Sequence, residues 1–122
     1  MQEMDVFEYA VIRVVPKVER EEFLNVGVIL YCPAQKFLQS KYKLDEERLA
    51  AFSPETDVEE IARNLWALGQ ISSGSPESGP IGKLDRASRF RWLTAARSTV
   101  LQTSKVHPGF CTDAAATLDK LF

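Results

Sequence analysis

The stretch Glu22-Phe23-Leu24-Asn25-Val26-Gly27-Val28-Ile29-Leu30-Tyr31-Cys32, closed by Pro33, decides the fold class. Val26 to Cys32 is a β-rich apolar run, and proline closes it because it cannot donate a ladder hydrogen bond. Gly27 inside such a run points to a bulge or to the close approach of another group, and Asn25 just before it can both donate and accept. Upstream, Phe7 to Val15 alternates, with Phe7, Tyr9, Val11, Arg13 and Val15 on one face and Ala10, Ile12 and Val14 on the other. Both faces are largely apolar, which predicts an interior strand covered on two sides. Downstream, Pro33-Ala34-Gln35-Lys36 turns the chain into Phe37 to Leu44, where Leu38, Tyr42 and Leu44 oppose Gln39, Lys41 and Lys43. The first 44 residues thus predict a three-stranded antiparallel unit whose second and third strands form a hairpin.

Beyond Leu44 the period becomes helical. Asp45 is an N-cap for a short helix through Phe52, and a second helix is expected from about Glu55 to Leu68, with Val58, Ile61, Ala62, Leu65 and Leu68 at helical spacing. Ser72 to Gly82, rich in Ser, Gly and Pro, predicts a mobile loop; it lacks the Gly-Lys-Ser/Thr ending of a phosphate-binding loop. Lys83 to Ala96 returns to helical composition. Ser98 to Val106 predicts a fourth strand pairing with the first, Pro108-Gly109 a turn, and Asp113 the start of a helix over Ala114 to Phe122. The expectation is an α+β two-layer fold, an antiparallel sheet of about four strands with helices mainly on one face.

The chain has 122 residues, 45% of them apolar and 26% charged, enough for one domain with one core. Its 15 Lys and Arg against 17 Asp and Glu argue against a generic polyanion binder. No apolar run approaches the roughly 20 residues that span a bilayer, and the first five residues are acidic where a signal peptide is basic, so a cytoplasmic protein without a membrane partner is expected. Cys32 and Cys111 form no Cys-x-x-Cys, and the single His107 has no ligand spacing around it, so neither metal nor cofactor is expected.

Three constellations could carry function. Lys83 to Arg97 holds one Lys and four Arg against one Asp, and Arg86, Arg89 and Arg97 fall on one side of a helix near Phe90. Arg86 and Arg89 beside Phe90 and Trp92 form a candidate anion or nucleic-acid site, with phosphate contacts next to aromatic stacking. Alternatively, the arginine stems lie over apolar surface and their heads stay in water or meet the protein's own carboxylates. Around the second strand, Arg13, Glu22 and Asn25, joined by Arg91 or Arg97, form a candidate ligand or partner site; as an enzyme pocket, Glu22 would act as base on an arginine-held anion. Finally, Arg97, Ser98, Gln102 and His107 gather late in the chain without a nucleophile-elbow sequence or a triad pattern.

The blocks Tyr9 to Pro16, Glu22 to Leu30 and Arg89 to Thr94, with Arg97, Ser98 and Gln102, resemble a bacterial family catalogued as domain of unknown function 3037. The likeness runs from about Phe7 to Phe122. It implies no reaction or cofactor. Genes of that family often lie beside those of HipA-like kinases, which implies a protein partner. The leading expectation is a non-catalytic partner-binding module, ahead of nucleic-acid or phosphate binding and of a small enzyme.

Overall fold

A computed structural model describes residues 3–16, 22–95 and 99–122. Its strands are β1 (Asp5–Val14), β2 (Leu24–Cys32), β3 (Phe37–Tyr42), β4 (Leu101–Thr103) and β5 (His107–Cys111). Its helices are α1 (Glu46–Phe52), α2 (Val58–Ser73), the single turn α3 (Gly79–Gly82), α4 (Arg86–Thr94) and α5 (Ala114–Leu121). The fold is α+β: one antiparallel sheet, ordered β3-β2-β1-β4, with β5 also on β1. Residues 12–14 of β1 pair with β4 and residues 5–9 with β5, so these two short strands lie end to end along one side of β1, opposite β2.

The two-sided apolar pattern of β1 has a direct structural counterpart. Ala10, Ile12 and Val14 join Val26, Ile29, Tyr31, Leu49, Ile61, Leu65, Leu68, Phe90 and Leu93 in the main core, between the sheet and α1, α2 and α4. On the other face Phe7 joins Val28, Leu30, Cys32, Cys111, Ala114 and Leu118 in a smaller core beneath α5. Most helices therefore cover one face, and one helix covers part of the other. Gln35, in the β2–β3 turn, fastens that helix: its amide donates to Asp5 and to the carbonyl of Thr112, and its carbonyl accepts from the Ala114 N–H at 2.9 Å.

Three local expectations need correction. Within the segment expected as one strand over Ser98 to Val106 the strand is shorter, Leu101–Thr103, though it pairs with β1 as expected, and Pro108-Gly109 lies within a separate strand, β5, not in a turn; of the expected range, residue 98 is outside the described residues. Proline is tolerated on an edge strand, and the Phe7 ring occupies the space beside Gly109. Helix α2 continues past Leu68 to Ser73, because Ile71 and Ser72 are also buried and Gly74 supplies the left-handed cap at φ 70°. The stretch at 72–82, expected as a mobile loop, holds the end of α2, a 3-10 turn over Pro76–Ser78 and α3. Ser72 is buried there because its hydroxyl meets Ser40 and donates to Gly69.

Candidate functional site

Asn25 reaches its place through a break in alternation. The β1–β2 register slips between Ile12, opposite Gly27, and Arg13, opposite Asn25, leaving Val26 as the extra residue of a bulge. Before the bulge Leu24 and Val26 face the helices; after it Ile29 and Tyr31 do. Asn25 is consequently set on the α5 side beside Arg13. A Cβ on Gly27 would lie 2.3 Å from the Lys41 carbonyl, so the residue also permits the close approach of β3. Both uses expected of a glycine in this strand occur together.

Arg13 is half-buried, and its guanidinium carbon lies 4.1 Å from the centre of the Phe23 ring. On its other flank β1 pairs with β4, where Gln102 stands directly opposite Arg13 and its amide donates to the Thr99 carbonyl at 2.8 Å. Asn25, Arg13 and Gln102 therefore form one row across three strands. Glu22 is exposed at the entrance to β2 and is not in ion-pair contact with Arg13. An open recess of about 360 Å³ adjoins this row, lined by Val11, Asn25, Gly27, Lys43, Leu121 and Phe122 among others.

Arg91 lies elsewhere. It projects from α4 on the helix side of the sheet and pairs with Glu8 at 3.3 Å, while Arg13 and Asn25 face the opposite side. Arg97 is outside the described residues. The structure brings Arg13, Asn25 and Gln102 together, but does not bring Arg91 to them.

Part of the basic segment, Arg89 and Arg91, is engaged by the fold. Phe90 is fully buried against Tyr31, with ring centres 5.4 Å apart, so its ring has no face open for stacking; this corrects its expected place in an anion site. The Arg89 guanidinium packs against Gly74 and donates to the Leu84 carbonyl, and burial lowers its pKa with Arg86 adding to the effect. Arg86 and Trp92 are exposed; Trp92 borders a recess of about 270 Å³ between α2, α4 and β4.

Two exposed residues escaped the sequence reading. Val6 and Phe110 stand directly opposite each other on β1 and β5, 53% and 68% exposed, on the helix side beyond the Arg91–Glu8 pair. Met4, two residues earlier, is 61% exposed. The available signal was the continued alternation of β1 beyond Phe7, but Phe110 gained a register only once β5 was recognised as a strand.

Among the described residues no cluster of His, Cys, Asp or Glu is arranged to hold a metal, and no helix is long and apolar enough to cross a membrane. The fold defines a small α+β protein with one antiparallel sheet, four helical segments on one face and one helix on part of the other. The chain belongs to the family described as protein of unknown function (DUF3037), which matches residues 9–122 and so includes Arg13, the bulge and Gln102. No curated protein and no solved structure matches it.

Proposed function

We propose that this protein is a non-catalytic module of one domain that docks on a partner protein in the cytoplasm. The observation that carries the reading is the Val6–Phe110 pair. Single exposed apolar residues are ordinary, whereas two directly opposed on adjacent strands, with exposed Met4 two residues along the chain, are an apolar pair of the kind a partner covers. Pro108, which has no N–H, blunts the β5 edge, so docking uses side chains and not an added strand. The partner suggested by the family resemblance is a HipA-like kinase encoded nearby.

Co-expression with that kinase and gel filtration tests the reading. The wild-type chain should co-elute with it, and Phe110→Ser should lose about 2 kcal/mol of affinity, roughly thirty-fold, as an aromatic anchor does. Separate elution of the wild-type pair, or unchanged affinity of the variant, contradicts it.

A further inference from the structure

We propose that Arg13 and Asn25, on the open part of the α5 side of the sheet, form a binding site for a carboxylate group. The site lies on the face opposite Val6 and Phe110, so its failure leaves the docking reading untouched.

Arg13 occupies the middle strand with Asn25 and Gln102 directly opposite it. The ion pairs among the described residues are Lys41–Asp119 and Arg91–Glu8, and neither includes Arg13. Its Nε is shielded from solvent with no acceptor among the described residues. That shielded Nε is as far out of a ligand's reach as out of water's, but the two Nη groups are not shielded and have no acceptor among the described residues, so they are the edge that a ligand oxygen meets. Phe23 covers one face of the guanidinium, so an acceptor must approach along its edge. The Asn25 amide is exposed, has no side-chain hydrogen bond among the described residues and stands directly across from Arg13. The bulge at Val26 is what sets this amide beside the arginine, and the bulge costs the sheet a regular ladder. One guanidinium edge and one amide N–H match the two coplanar oxygens of a carboxylate. A phosphate dianion calls for further cations or converging backbone N–H groups. The recess beside Asn25, with Lys43 on its wall, has room for the group that carries the carboxylate.

The carboxylate could belong to a small acid or to an acidic side chain, and two arms of one titration separate these. The arginine Nε–Hε and asparagine side-chain amide signals of the 15N-labelled full chain are followed against sodium acetate, against a capped Gly-Glu-Gly peptide and its Gly-Gln-Gly counterpart, and against inorganic phosphate, with sodium chloride at matched ionic strength. The signals of Arg13, assigned by their loss in Arg13→Lys, and of Asn25 should shift saturably with acetate or the Glu peptide and not with chloride or the Gln peptide. Tighter binding of the peptide indicates a side-chain source; acetate binding as tight or tighter indicates a small acid. Asn25→Ala should weaken binding at least ten-fold while the remaining backbone spectrum stays in place. Shifts no larger than those with chloride, tighter binding of phosphate than of either carboxylate, or full affinity in Asn25→Ala overturns the proposal.

Discussion

Four aspartates begin the longer helices, and each carboxylate accepts from the backbone N–H three residues on: Asp45 from Arg48, Asp57 from Glu60, Asp85 from Ser88 and Asp113 from Ala116. Asp45 and Asp113 were legible as caps because each directly precedes a helical pattern; Asp57 was not, because the helical composition begins earlier, at Glu55. Asp113→Ala should lower stability by about 1 kcal/mol in urea unfolding, the usual cost of a lost cap. Cys111 gives a pH test. Burial pushes its thiol up, and the neighbouring Cys32 adds to the shift. A raised value in the folded state favours the protonated thiol, so the stabilisation is complete below the ordinary thiol range and is lost as pH rises through the folded value. Urea midpoints should therefore fall above about pH 9, and Cys111→Ala should flatten that decline. An identical alkaline decline in the variant would assign it to other groups.

Among the elements, β1 to β3 could be read from alternation because each strand is several residues long and one or both of its faces are buried. β4 was legible only as part of a longer strand, with its pairing to β1 but not its bounds, and β5 was not legible. Three residues give alternation no length, and Pro108-Gly109 carries turn chemistry that an edge position and the Phe7 ring override. The same limit applied to the candidate site. Asn25 and Gly27 stood out as polar and small within an apolar run, but which face Asn25 takes depends on the slip in register. Gly27 adjoins that slip, and its missing Cβ leaves space for the Lys41 carbonyl on β3. Gly27→Ala should cost about 1–3 kcal/mol, the range for overpacking, and should move the Arg13 and Asn25 signals as the bulge shifts. Unchanged stability and spectra would remove the glycine from this role.

Across the whole molecule, a near-neutral charge conceals the basic segment at 83–97, and the fold engages two of its arginines: Arg91 meets Glu8 and Arg89 folds over Gly74. The two apolar clusters share β1 and β2, so they should unfold together. Leu65→Ala in one and Leu118→Ala in the other should each cost about 2–5 kcal/mol and leave a single transition, seen alike by circular dichroism and tryptophan fluorescence. Two separated transitions would show that α5 and its cluster form an independent unit. Partner docking is the central claim, and hydrogen exchange tests it most directly, on the chain alone and in the co-purified complex with the HipA-like kinase. The prediction is slowed exchange at the N-terminal half of β1 and in β5, around Val6 and Phe110, with α1 and α2 unchanged. Unchanged exchange around Val6 and Phe110, or protection confined to α1 and α2, would contradict it.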